Sequence, residues 1–314
     1  MKKTLKQLLN IEHPIIVAPM FLVSNVAMVK SAMQAGVAGC IPALNYRTLP
    51  ELREAITQLK ASKTENGAFG FNLIVNKSNL KFPDQLEVCC EMGVDFIITS
   101  LGNPKQVIEE AHKKGILVFC DVVNIEQALK VEALGCDAVI AVNNEAGGHR
   151  GDRSPKQLTK EINEALKIPV ISAGGVGDKS ELEEKMSYGA VGVSIGSPFI
   201  ASEEAGVSKE YKEACVAYGA KDIVVTQKIS GTPCTVINTP YVQEIGTEQS
   251  WIESLLNKNK WLKKYVKMLR FLKGTNMVTK AAAGATYKTV WVAGPTIEHT
   301  TSIEPLQKII QRFI

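Results

Sequence analysis

A histidine among small residues, in the segment Glu145-Ala-Gly-Gly-His149-Arg-Gly151, is the part of this sequence best suited to proton transfer. An imidazole titrates near neutral pH, so it can take or give a proton where unperturbed carboxylates and amines do not. Gly147 and Gly148, just before it, remove side chains that would hold a flat ligand off the backbone. A turn histidine with a solvated ring has the same spacing, so the meaning of the segment depends on what delivers it. Two glycine-rich turns follow: Ser172-Ala-Gly174-Gly175-Val-Gly177-Asp178, and Ser194-Ile195-Gly196-Ser197-Pro198-Phe199. Gly174, Gly175, Gly196 and the hydroxyl of Ser197 suit a phosphate, because bare backbone N–H groups beside a helix start favour an anion. Tight turns with no ligand explain either segment alone.

Other polar residues sit at the ends of apolar runs. Met20 follows Ala18-Pro19, Asn72 is a lone amide in Phe69-Gly-Phe-Asn-Leu-Ile-Val75, and Asp121 closes another run. A buried amide needs a partner, either a hydrogen-bonding heterocycle or a neighbouring backbone group. Neither a glycosidase-like carboxylate pair nor a Gly-x-Ser-x-Gly turn is evident. His149 is therefore the acid/base candidate, and His13, His112 and His299 are expected to be structural. Cys40, Cys89, Cys90, Cys120, Cys136, Cys215 and Cys234 show no Cys-x-x-Cys pair and no zinc-like cluster, so they read as reduced, buried small hydrophobes, with no metal expected.

The elements that must position these residues alternate between strand and helix. Apolar runs at Ile15–Met20, Gly39–Ala43, Phe69–Val75, Phe96–Ser100, Leu117–Val123, Ala138–Val142, Val170–Ala173 and Val191–Ile195 predict strands. Helical periodicity falls between them, at Asn25–Ala35, Leu49–Lys60, Phe82–Met92, Pro104–Lys114, Ile125–Leu134, Pro155–Leu166 and Ser180–Tyr188. Gly93, Gly115 and Gly135 stand where three of these helices should stop. Strands apolar on both faces and joined by single helices imply a parallel sheet, and eight of them fit a closed (β/α)8 TIM barrel. An open doubly wound sheet is the alternative, but the first turn, Ala18-Pro-Met-Phe-Leu-Val-Ser24, lacks a Gly-x-Gly-x-x-Gly. In a barrel, His149 follows the sixth strand and the two glycine turns follow the seventh and eighth, on the face where active sites collect.

The rhythm is lost after about Ser202. Tyr211–Ala217 reads as helix, Ile223–Thr226 and Thr235–Ile237 as extended, Trp251–Lys273 as one long basic helix or a broken pair, and Ile303–Phe313 as a closing helix. The expected division is a barrel over 1–205, a mostly helical insertion covering the barrel mouth over 206–290, and a return to the barrel over 291–314. With 314 residues, 45% of them hydrophobic, 22% charged, and a net charge of +4, the composition is that of a globular enzyme-sized chain. It lacks the basic stripe of a nucleic-acid binder. No run is long enough for a membrane span, and the basic start, Met1-Lys-Lys-Thr-Leu-Lys-Gln-Leu-Leu, has no secretory core or cleavage site, so a cytoplasmic location is expected.

Pro14-Ile-Ile-Val-Ala-Pro-Met20, Gly70-Phe-Asn-Leu73, Glu145-Ala-Gly-Gly-His-Arg-Gly151, Ala173-Gly-Gly175 and Ile195-Gly-Ser197, taken in order, resemble the nitronate monooxygenase family, formerly called 2-nitropropane dioxygenases. That family also takes in similar flavin-dependent enoyl-acyl-carrier-protein reductases. The resemblance implies a TIM barrel with a small extra domain and non-covalent FMN. It further implies that Met20 and Asn72 contact the flavin ring, that Gly147 lies beside it, and that Gly174, Gly175 and Ser194, Ile195, Gly196 and Ser197 hold the phosphate. His149 matches the catalytic histidine. The family usually carries Gln or Glu where this chain has Val142, and often Ala-Gly-Gln near the C-terminus where this chain has Ala-Gly-Pro295.

The leading expectation is an FMN-dependent oxidation of nitronates or nitroalkanes by dioxygen, with His149 as base. The alternative is an NAD(P)H-dependent reductase of enoyl thioesters or quinones, for which the basic face of Trp251–Lys273 would receive an acyl carrier protein; solvated lysines explain that face as well. A flavin-binding sensor without turnover is the third.

Overall fold

The computed structural model describes residues 2–76, 79–228, 232–248 and 290–314. The eight expected strands are present as β1 (Ile15–Val17), β2 (Ala38–Pro42), β3 (Ala68–Ile74), β4 (Phe96–Ser100), β5 (Leu117–Val122), β6 (Ala138–Val142), β8 (Val170–Ala173) and β9 (Gly192–Ile195). They form a closed parallel barrel in that order. Pairing of Ile16 with Ala38 at one seam and with Ser194 at the other closes the ring. β1 stops at Val17, short of Met20. Pro19 has no N–H for a ladder, and the Ser24 hydroxyl takes the Met20 N–H at 2.9 Å while donating to the Ala18 carbonyl at 3.0 Å, which turns the chain out of the sheet.

The helices between the strands are α2 (Val26–Gln34), α3 (Leu49–Ala61), α4 (Phe82–Met92), α5 (Lys105–His112), α6 (Ile125–Ala133), α7 (Pro155–Ala165) and α8 (Lys179–Ser187). Their starts are set by side-chain caps at Asn25, Thr48, Asn124, Ser154 and Asp178. Gly93, Gly115 and Gly135 lie past α4, α5 and α6 with positive φ, as their spacing predicted. A helix that the sequence reading missed, α1 (Leu5–Leu9), carries a Thr4/Gln7 capping box. Its Leu5 and Leu9 join the buried cluster inside the barrel.

Alternation along the strands sorts the side chains into two layers. Phe69, Phe71, Leu73, Ile97, Val118, Cys120 and Val139 pack outward with residues of the helical ring. Ile16, Ala38, Cys40, Ala68, Phe96, Ile98, Phe119, Ala138, Ile140 and Ile171 fill the interior, where the Phe96 and Phe119 rings stack with centroids 5.4 Å apart. The same inward alternation, followed to the carboxyl ends, reaches Asn72 on β3, Ser100 on β4, Asp121 on β5, Val142 on β6 and Ser194 on β9. These five residues form the floor of the barrel mouth.

Beyond the barrel come α9 (Lys209–Ala217), β10 (Ile223–Thr226), β11 (Cys234–Ile237) and α10 (Pro240–Ile245). β10 and β11 are the two segments that read as extended in the sequence; they pair antiparallel, and a third strand completes their sheet. It is β7 (Gly148–His149), from the loop after β6. The C-terminal helix spans Leu306–Ile310, shorter than expected because Pro305 marks its start. The expected helix Trp251–Lys273 lies outside the described residues. All seven cysteines are buried and unpaired with one another. Among the described residues, no helix is long and apolar enough to cross a membrane and no His/Cys/Asp/Glu group could hold a metal ion.

Candidate active site

The floor of the mouth carries a hydrogen-bonded arc across three consecutive strand ends. Asn72 Nδ2 donates to the Ile98 carbonyl at 3.2 Å and to Ser100 Oγ at 2.8 Å, and Ser100 Oγ donates to Asp121 Oδ2 at 2.5 Å. The lone amide therefore has protein partners on its nitrogen, and no described residue donates to its Oδ1. Burial raises the Asp121 pKa to about 6, against the opposing effect of the Ser100 hydrogen bond.

The histidine loop rises from β6 next to this arc and is held by two residues whose roles were not visible in the sequence. Asn143, fully buried, accepts from the Glu145 N–H through Oδ1 at 2.8 Å and donates through Nδ2 to the Gly174 carbonyl at 3.0 Å. It ties the loop after β6 to the end of β8. Thr235 of β11 donates to the Ala146 carbonyl at 3.0 Å and accepts from the Gly148 N–H at 2.9 Å, gripping the chain on both sides of Gly147. Gly147 itself lies against Ser197 and Gly294: a Cβ there would come within 2.5 Å of Ser197 Oγ and 2.9 Å of the Gly294 nitrogen. Its lack of a side chain thus serves backbone packing against the extension, in addition to any ligand.

His149 follows in β7, in register with Cys234. One side of the residue is open to water, while the protein packed around the imidazole lowers its pKa by desolvation. The residue thus keeps solvent access while its ring is partly covered by protein. Arg150 turns away, donating through Nη1 to the Asn144 carbonyl at 2.6 Å.

The ends of β8 and β9 supply the glycine side. Gly174 and Gly175 have φ of +105° and +72°, a conformation that other residues rarely adopt. A Cβ on Gly174 would come within 2.5 Å of Asn143 Oδ1, and one on Gly175 would run into the Glu145 carboxylate. Gly196 precedes a short 3-10 turn, Ser197–Phe199, and its open side faces Met20, whose Sδ would be 3.4 Å from a Cβ there. The N–H groups of Gly175, Gly196 and Ser197 meet no acceptor among the described residues. Three bare donors on neighbouring strand ends fit an anionic phosphate. Ser197 Oγ accepts from the Gly294 N–H at 2.8 Å, which leaves its proton for a ligand. Ser194 faces the barrel interior, whereas the Ile195 side chain packs outward with Val176 and Phe199, so only its backbone is near the mouth. Glu145 borders this cradle. Half-burial raises its pKa, opposed by Lys185 and reinforced by Glu181 and Glu184.

The remaining histidines lie elsewhere. His13 precedes β1 beside Glu12, and His112 Nε2 is 2.9 Å from Asp137 at the amino end of β6. His299 comes nearer than expected: its ring covers Gly177 in the turn after β8, with Nε2 3.4 Å from Glu181.

The mouth thus joins a base candidate, an amide and carboxyl arc, and a cradle of bare N–H donors. Comparisons with known proteins agree with this arrangement. The family described as nitronate monooxygenase matches residues 2–314. A probable nitronate monooxygenase of Staphylococcus saprophyticus is 30% identical over 283 residues, covering 76% of this chain and 79% of the relative. The (3aS,4S,5R,7aS)-5-hydroxy-7a-methyl-1-oxo-octahydro-1H-indene-4-carboxyl-CoA dehydrogenase of Rhodococcus jostii is 29% identical over 245 residues, covering 78% of this chain and 68% of the relative. Among solved structures, FabK from Thermotoga maritima superposes with a TM-score of 0.81 at 29% identity, covering 100% of this chain and 95% of that one.

Proposed function

The chain belongs to the nitronate monooxygenase family, and from that premise we propose that it is an FMN-dependent oxidoreductase that oxidises nitronates or nitroalkanes with dioxygen. The observation that carries this reading is the seating of His149: β11, through Thr235, holds its loop after β6, beside the ends of β8 and β9 that carry the bare N–H groups of Gly175, Gly196 and Ser197. FMN, when bound, supplies two-electron redox chemistry that connects a carbon acid to dioxygen. The residues that would hold it are Gly174, Gly175, Ser194, Gly196, Ser197 and the backbone of Ile195 at the phosphate, with Met20, Asn72 and Gly147 near the ring.

His149 acts as the base. Its lowered pKa keeps the imidazole neutral at physiological pH, and a neutral imidazole can remove the proton on the carbon next to a nitro group. Thr235 and Asn143 fix the loop from two sides, so the ring is positioned before substrate arrives. We assign choice of substrate to the segment 206–290, which supplies β11 and the wall beside His149, with barrel 1–205 and closing segment 291–314 as the scaffold, in a protein placed in the cytoplasm.

A second reading has its own support, since a relative of similar identity is named as a dehydrogenase of a carboxyl-CoA compound. In that case the substrate is a thioester, NAD(P)H is the electron donor, and an acyl carrier protein is the partner that delivers the acyl group. Replacing His149 with Ala separates the readings. Under the nitronate reading H149A keeps the yellow colour of bound FMN and turns over preformed nitronates, but loses turnover of neutral nitroalkanes. Unchanged turnover of neutral nitroalkanes would refute the role of His149 as base.

A further inference from the structure

We propose that Asp121 is a second functional carboxyl of this site, a proton-carrying group that recognises the polar edge of the flavin ring together with Asn72; this rests on the FMN reading above. Two placements in the barrel converge on it. Asn72, Ser100 and Asp121 are the inward-facing residues at the carboxyl ends of β3, β4 and β5, directly above the stacked Phe96 and Phe119 rings. In the eight-strand ring these strands lie across from β8 and β9, which carry the bare N–H groups. FMN held by its phosphate at β8 and β9 would leave Asn72, Ser100 and Asp121 to meet its ring.

The direction of the hydrogen bonds then fixes what the arc displays. The single proton of Ser100 goes to Asp121 Oδ2 at 2.5 Å, so Ser100 must accept from Asn72 Nδ2 at 2.8 Å. Asn72 thereby spends its amide protons on Ile98 and Ser100 and keeps Oδ1 as its acceptor. Asp121 shows its other oxygen, which donates when protonated and only accepts when ionised. One edge of the isoalloxazine carries a ring N–H between two carbonyl oxygens. An acceptor beside a donor matches that edge, and an acceptor beside a carboxylate does not.

The surroundings favour the proton. Ser100 faces Asp121 from β4 and Cys40 from β2, Ile140 is its neighbour on β6, and no described ion pair includes Asp121. Burial accordingly holds the carboxyl proton up to about pH 6 even without a ligand. A ring carbonyl that accepts this proton stabilises the protonated form further, so binding and proton uptake are linked.

The test is FMN binding by apoprotein, followed by quenching of flavin fluorescence from pH 5 to 8.5, in wild type, Asp121→Asn and Ser100→Ala. Asparagine offers a donor that does not titrate. The ratio of the wild-type to the D121N dissociation constant cancels the titration of the FMN phosphate. That ratio is expected to rise about tenfold between pH 5 and 8, the size of one hydrogen bond exchanged for a repulsion. S100A keeps the carboxyl but removes the bond that lowers its pKa, so the midpoint of its profile should move to higher pH. A ratio that stays flat, or an S100A midpoint that does not rise, overturns the proposal while FMN binding itself stands. Absence of saturable FMN binding by wild type at every pH overturns the flavin reading and this proposal together.

Discussion

Replacing Thr235 with Val tests how the extension controls the catalytic histidine. The hydroxyl is buried, with the residue 2% exposed, and it serves two backbone groups: it donates to the Ala146 carbonyl at 3.0 Å and accepts from the Gly148 N–H at 2.9 Å. Valine keeps the shape and removes both bonds. A buried polar group left unpaired costs about 1–3 kcal/mol. Ala146 is buried but Gly148 is only partly so, and water can replace some of its loss. The expected destabilisation is therefore about 2–3 kcal/mol by urea denaturation, toward the lower half of the sum for two groups. The pairing of Thr235 with Gly148 and of Cys234 with His149 survives in the backbone, so the fold is retained while the loop loses its side-chain anchor. A displacement of His149 by about 1 Å should lower kcat/KM roughly 100-fold, with FMN affinity held by the separate cradle at β8 and β9. Thr235→Ser keeps the hydroxyl and should restore both stability and rate. The reasoning is refuted if T235V lies within about 0.5 kcal/mol of wild type, the scatter of an ordinary surface change. Loss of stability with an unchanged rate would refute the positioning role.

The lowered pKa of His149 gives a pH profile with a definite sign: the base works when neutral, so the acid limb of kcat/KM should fall below the ordinary histidine value of 6.5, and a limb above 6.5 would contradict the burial argument. Gly175→Ala forces a side chain at φ of +72° into the Glu145 carboxylate, and should weaken FMN binding at least about tenfold by fluorescence titration, through strain of about 1–3 kcal/mol at the phosphate cradle. Asp121→Asn should also change apoprotein stability. The folded carboxyl titrates at about 6 and the unfolded one near 3.9, so below pH 4 both states are protonated and nothing is lost, whereas stability falls as pH rises through this interval and stays low above it. The shift corresponds to at most ~3 kcal/mol, less because part of the residue still meets water. D121N should accordingly gain on wild type in urea melts at pH 7.5 relative to pH 4, and an equal difference at both pH values would exclude a titrating Asp121.

Much of the barrel was legible because its strands are continuous apolar runs and its helices end at glycines. β4, β6 and β8 begin and end where the composition placed them. The end of β1 was misjudged because the runs of Ile15, Ile16 and Val17 continue in hydropathy through Met20, although Pro19 cannot join a ladder. β7 was not legible at all: two residues carry no period, and the strand exists only because β11, some 85 positions later, pairs with it. Thr235 was hidden for the same reason. Asn143 stood in plain view inside the motif, but its value comes from reaching Gly174 across two strand ends, which no local pattern records. Asp121 was visible as a polar strand end; extending the inward alternation from Phe119 would have set it beside Asn72 and Ser100.

Anaerobic mixing of the FMN-loaded protein with a nitronate, followed in the visible absorbance of the flavin, puts the proposed chemistry to its most direct trial. Rapid bleaching by the nitronate, with recovery of colour when air is admitted, is the result expected of a nitronate-oxidising flavin site. Colour that persists with nitronate and bleaches with NAD(P)H would contradict it and establish the reductase reading in its place.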